Sequence, residues 1–112
     1  MFRNIRYILK KKIFRNMMEY DVNLEELKNM QKNGAKIIDV RSDAEYKEGH
    51  LEGAINIPEY EINFKFKDLN LDKEKTIVLY CKSGYRSQKA YKKLKKMGYN
   101  DVYNLYGGLE EY

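Results

Sequence analysis

Short apolar runs alternate with amphipathic stretches from Tyr20 to Leu105, and that alternation restricts the chain to one fold class. The run Thr76-Ile77-Val78-Leu79-Tyr80 is rich in β-branched and apolar residues, as suits a strand covered on both faces. Lys36–Val40, Ala54–Ile57 and Val102–Leu105 read as further strands, and Tyr20–Val22 as a short one. Helical patterns lie between them. Asn23 is placed as an N-cap, with Glu25 and Glu26 in the first turn. Leu24, Leu27 and Met30 then share one face, and Asn33-Gly34 stops the helix. Ser42 or Asp43 caps a short helix through Glu48, closed by Gly49. Residues 59–69 are ambiguous, and a helix or helical turn over Ile62–Phe66 is the favoured reading. Ser83–Ser87 reads as a loop. Gln88–Met97 reads as a helix, with Ala90, Tyr91, Leu94 and Met97 on one face. Continuous apolar strands separated by helices predict an α/β fold, with a parallel sheet and helices on both faces.

At 112 residues the chain is one domain in size, and no run of 18 apolar residues is present to span a membrane. Charge is divided unevenly. Arg3, Arg6, Lys10, Lys11, Lys12 and Arg15 are six basic residues in 1–18, where there is no acid. Residues 19–112 hold the other 16 basic residues against all 17 acids, so that part is −1 although the whole is +5. A near-neutral body argues against a nucleic-acid binder. We divide the chain into a basic extension, 1–18, and a folded domain, 19–112. Phe2, Ile5, Leu9 and Ile13 give the extension a loose helical face. It reads as a membrane-surface or partner-binding helix, an organellar transit segment, or sequence preceding a true start at Met17 or Met18. The expected location is cytoplasmic, with organellar targeting by 1–18 as the alternative.

Chemistry is expected after the clearest strand. Ligands of open α/β sheets bind beyond the carboxyl ends of strands. Cys81, the sole cysteine, directly follows Tyr80, and Lys82-Ser83-Gly84-Tyr85-Arg86 then feeds a helix beginning near Ser87. Backbone N–H groups at a helix start are unpaired and carry partial positive charge. A loop curled around the sulfur would aim such donors at it and favour a thiolate. Lys82 and Arg86 add positive charge, and Gly84 suits a tight turn. A lone cysteine after a buried strand is otherwise a small core hydrophobe. With one cysteine and one histidine, His50, a four-ligand Cys/His zinc site is impossible, as is an internal disulfide.

Three stretches resemble the rhodanese family. The first is Cys81-Lys82-Ser83-Gly84-Tyr85-Arg86-Ser87, which looks like that family's active-site loop. The second is Ile38-Asp39-Val40-Arg41, then Glu45-Tyr46, then the run Gly49 to Pro58. The third is Leu105-Tyr106-Gly107-Gly108-Leu109. Together they lie in the family's order and cover about residues 20–112. The resemblance implies a five-stranded parallel sheet flanked by helices, and transfer of sulfane sulfur through a cysteine persulfide. Cys81 is then the nucleophile, and Lys82, Ser83, Gly84, Tyr85, Arg86 and Ser87 form the substrate loop. Asp39, Arg41, Glu45 and His50 are supporting residues. No cofactor or metal is implied. The partners are a small sulfur donor such as thiosulfate or a persulfide, and a thiol, cyanide or protein acceptor. Only four residues follow Gly107-Gly108, and Tyr112 stands where the family often has tryptophan, so the last helix is expected to be incomplete.

Two other readings stand beside this one: a regulatory binding module on the same fold, and a cysteine phosphatase. The phosphatase loop places arginine six positions after cysteine. Here that position is Ser87 and the arginine is Arg86, so the loop is sized for a persulfide rather than a phosphoryl group. Arg41 and Glu45 are four apart across a helix start and are expected to pair. His50 is expected to be hydrogen-bonded and structural. Tyr85 is expected to be the exposed aromatic at the mouth of the site. Lys89, Lys92, Lys93, Lys95 and Lys96 read as a solvated helix face, with docking of an acidic partner as the second reading.

Overall fold

The computed structural model describes residues 17–112. Readings that concern residues 1–16 lie outside them. Five strands form one sheet: β1 (Asp21–Val22), β2 (Lys36–Asp39), β3 (Ile55–Asn56), β4 (Ile77–Tyr80) and β5 (Val102–Leu105). Their order is β1-β5-β4-β2-β3 and every pairing is parallel, so β4, which precedes Cys81, is the central strand. Parallel neighbours need crossovers, which the helices supply. These are α1 (Leu24–Lys32), α2 (Asp43–Glu48), α3 (Ile62–Lys65) and α4 (Tyr85–Lys96). Single 3-10 turns flank α3 at Glu59–Glu61 and Phe66–Leu69, and another, Leu109–Glu111, follows β5. The ambiguous stretch is therefore one α-turn between two tighter ones.

The sheet separates two cores, as the continuous apolar strands require. On one side Ile38, Leu79 and Ile77 pack with Phe66, Ala90 and Leu94. On the other, Ile37, Val78 and Tyr80 pack with Leu27, Val22 and Leu105. Alternate residues of β4 thus serve opposite faces, and all four are fully buried. Asn23 caps α1 as expected, and of the two candidates Ser42 and Asp43 it is Ser42 that caps α2. Asn23 and Ser42 each form a complete capping box, with Glu26 and Glu45 respectively. No described helix is long and apolar enough to cross a membrane.

Candidate active site

β4 delivers Cys81 to the carboxyl end of the sheet, and only Lys82-Ser83-Gly84 separates it from α4. The sulfur accepts hydrogen bonds from the Gly84 N–H at 3.0 Å and the Ser87 N–H at 3.4 Å. The thiol in turn donates to Ser87 Oγ at 3.4 Å, and that hydroxyl donates to the Gly84 carbonyl at 3.1 Å. Gly84 occupies the N-cap of α4 in a left-handed conformation, φ 95°, and has no side chain with which to cap it. The cysteine sulfur takes that place. It collects amide donors that would otherwise be unpaired, at the positive end of a 12-residue helix.

This capping accounts for one departure from expectation. α4 begins at Tyr85, not near Gln88, so Tyr85, Arg86 and Ser87 belong to its first turn rather than to a loop. The sulfur satisfies the early amides and lets the helix start sooner. Cys81 itself is fully covered, at 0% exposure. So short a loop folds directly over its own sulfur. Lys82, Ser83 and Tyr85 remain exposed on its rim, and Tyr85, at 66% exposure, is the outward aromatic that was expected.

The segment after β5 braces the loop from outside. The Leu109 N–H donates to the Cys81 carbonyl at 3.0 Å, and the Glu110 N–H to the Lys82 carbonyl at 2.9 Å. With both carbonyls held there, the following amides are left to face the sulfur. Gly108 makes this approach possible at φ 67°, ψ −166°, a conformation open in practice only to glycine.

Arg86 and Glu45 close the flank. Arg86 Nη1 and Nη2 donate to the two Glu45 oxygens at 2.6 and 3.0 Å. The arginine hydrogen bonds, aided by Ser42, hold the Glu45 carboxyl down to about 2. The expected Arg41–Glu45 pair does not form, because each residue has a nearer partner. Arg41 donates from Nε and Nη2 to Asp39, at 2.7 Å for the shortest contact, and from Nη2 to the Gly49 carbonyl at 2.6 Å. Asp39 is fully buried and also accepts the Tyr80 hydroxyl at 2.7 Å. Burial first, and the Asp39 carboxylate after it, push Tyr80 above its ordinary range. The phenol therefore stays protonated, and its oxygen accepts the Leu51 N–H at 3.0 Å. His50 is exposed, stacks on Tyr46 at 3.7 Å between ring centres, and places Nδ1 2.9 Å from the Tyr46 carbonyl. Its contacts lie away from the Cys81 loop.

The structure thus brings together Cys81, Gly84, Arg86, Ser87 and Glu45, and sets Asp39 and Arg41 behind them as a buried brace. Two contributors, Tyr80 and Gly108, are not among the site residues expected from the sequence, although Gly108 lies in the third family-like stretch. Tyr80 ends a buried strand with a hydroxyl that must find a partner, which is a readable signal. Gly108 is half of a Gly-Gly pair after a strand, a pattern that marks close approach of two backbones.

Comparison with known proteins agrees with this geometry. The Rhodanese-like domain family matches residues 23–112. YqhL of Bacillus subtilis strain 168 is 37% identical over 78 residues, which are 70% of this chain and 60% of YqhL. The tRNA uridine(34) hydroxylase of Onion yellows phytoplasma is 39% identical over 96 residues, 79% of this chain and 30% of that protein. The chain therefore spans less than two thirds of these curated relatives. The solved structure of the human single-domain sulfurtransferase TSTD1 is similar with a TM-score of 0.74 and 29% identity, covering 84% of this chain and 95% of that one. A matched family over most of the chain, the five-stranded sheet and the likeness to a single-domain sulfurtransferase agree, and the chain belongs to the rhodanese-like domain family.

Proposed function

We propose that this protein is a sulfurtransferase that carries sulfane sulfur as a persulfide on Cys81. The observation that carries the reading is the pair of amide donors, Gly84 and Ser87, aimed at one sulfur at a helix start. Fixed donors of this kind stabilise a thiolate, and equally the terminal sulfur of a persulfide anion, without reorganisation during the reaction.

The chemistry runs in two displacements. Cys81 thiolate attacks the outer sulfur of thiosulfate. A new S–S bond forms, the donor's S–S bond breaks, and sulfite leaves with the electron pair. Cys81 then holds a persulfide anion. A nucleophile, cyanide or a thiolate, attacks the outer sulfur, and the Cys81 thiolate is restored. With one cysteine in the chain, the persulfide has no internal thiol to resolve it and passes to a second molecule.

Two features shape access. Cys81 is fully covered, and Lys82 and Ser83 are the exposed residues that directly follow it. Lys82 is exposed there and supplies positive charge to an anionic donor. Arg86 is largely occupied by Glu45, and the pair holds the first turn of α4 in place. The test is formation of thiocyanate from thiosulfate and cyanide. Turnover that disappears in Cys81→Ser supports the proposal. Turnover that survives the substitution removes Cys81 from the mechanism.

A further inference from the structure

The lysine-rich run of α4 is not one uniform charged face. Helix geometry and tertiary contacts divide it. Lys93 is fixed against Glu59, both to its carboxylate and, at 3.2 Å, to its carbonyl. Lys95 donates to the Asn100 carbonyl at 3.2 Å. Those two close the helix against its surroundings. Lys89, Lys92 and Lys96 are exposed and make no ion pair with any described residue. With Tyr85 they follow spacings of four, three and four, which place all of them on one stripe. The stripe runs about 16 Å along the helix at the usual rise per residue. Ser87, Ala90 and Leu94 are buried on the opposite side, so the stripe faces away from the sheet.

The upper end of the stripe is the active-site rim. Tyr85 sits in the first turn of α4, one residue from Gly84, whose amide binds the Cys81 sulfur. The Lys89 ammonium lies 5.1 Å from the centre of the Tyr85 ring, which ties the exposed aromatic to the stripe. Aromatic rings with one wet face are common anchors of protein interfaces.

We infer that Tyr85, Lys89, Lys92 and Lys96 form the docking surface for an acidic protein that exchanges sulfur with Cys81. This rests on the proposed function and names the kind of partner that site serves. Charge complementarity selects the class: three ammonium groups in a row, without an ion pair among the described residues, match carboxylates at the same intervals. Protein is favoured over nucleic acid because the positive charge is local. Residues 19–112 carry 16 basic and 17 acidic residues, and a long polyanion lying across them would meet as much repulsion as attraction. A folded partner touching the stripe meets Tyr85 and three lysines on a helix that holds no acidic residue. Docked there, its reactive thiol is led to the loop over Cys81.

The test uses the full chain, so that residues 1–16 are common to every sample. Binding is read by fluorescence anisotropy with a labelled helical peptide bearing glutamates at the complementary spacing. Sulfur transfer is read separately, from persulfidated protein to the same peptide with one cysteine added and to 2-mercaptoethanol. Lys92→Glu/Lys96→Glu is the variant, since both side chains are exposed and away from the sulfur. We expect it to weaken peptide binding and slow transfer to the peptide by about tenfold, within the range of electrostatic steering. Transfer to 2-mercaptoethanol should be unchanged. Equal peptide binding by both proteins would overturn the docking surface and leave the sulfurtransferase reading untouched. A single-stranded RNA oligonucleotide whose binding falls more than the peptide's would overturn it in favour of a nucleic-acid face. Charge-dependent peptide binding without any persulfide would uphold the surface and reject the proposed function.

Discussion

Gly108 lies directly against the backbone of Lys82: a β-carbon built on Gly108 would be 2.5 Å from the Lys82 carbonyl carbon and oxygen and 2.6 Å from the Cys81 carbonyl oxygen. These atoms are main chain and cannot swing aside. The loop over the reactive sulfur is therefore shaped from two sides, by the helix it starts and by the segment that follows β5.

Gly108→Ala should act on the site more than on the sheet. The substitution is strained by both its contacts and its backbone angles, and we expect a loss of about 2 kcal/mol or more in stability. Chemical unfolding measures that loss. In the folded fraction, persulfide formation should fall sharply, because the Cys81 and Lys82 carbonyls lose their partners. A variant with native stability and native turnover would show that the segment merely adjoins the loop.

Tyr80→Phe keeps the ring and removes a hydroxyl that serves a fully buried carboxylate and a half-buried amide. Asp39 loses one donor and the Leu51 amide loses its acceptor. Leaving such groups unpaired costs on the order of 1–3 kcal/mol. We expect a destabilised protein whose Cys81 still accepts sulfur, since the brace lies behind the loop. Unchanged unfolding midpoints would mean that water replaces the phenol without cost.

The Glu45–Arg86 pair should give stability with a definite pH dependence. Glu45 is held down to about 2 from an ordinary value of 4.5. A depressed carboxyl contributes fully above its unfolded value and loses that contribution as pH falls toward its folded one. The difference between wild type and Glu45→Gln should thus be constant above about pH 5 and shrink toward pH 2. Both side chains are about a third exposed, with 36% for Arg86 and 29% for Glu45, so the plateau should be about 1 kcal/mol or less. A difference that grows on acidification would contradict the pairing.

Ser87→Ala separates hydroxyl from amide. The methyl side chain no longer meets the thiol or the Gly84 carbonyl, but the Ser87 N–H remains aimed at the sulfur. We expect a cost of about 1 kcal/mol in stability and a persulfide that still forms. Complete loss of sulfur uptake in a folded variant would move the burden from the amides to the hydroxyl.

Much of this architecture is legible in the sequence, for reasons that can be stated residue by residue. Ile77–Tyr80 is rich in β-branched and apolar residues in a run too short for a helix, and it is the central strand. Asn23 is legible as one cap, while Ser42 and Asp43 compete for the other until the structure shows Ser42 closing a capping box with Glu45. α4 starts earlier than its sequence suggests because its cap is a cysteine, and no sequence rule ranks sulfur among capping groups. The partner of Glu45 is not legible from spacing, because a spacing of four reports local neighbours, while Arg86 reaches Glu45 only after β2 and β4 pair. The brace behind the loop has the same origin, since Gly108 is distant in sequence and meets the Lys82 backbone only in the fold.

The most direct test is intact-mass analysis of the purified protein after exposure to thiosulfate. The account predicts a gain of one sulfur atom, reversed by cyanide and absent in Cys81→Ser. An unchanged mass with thiosulfate and with any other sulfane donor, in protein that retains its fold, would contradict it.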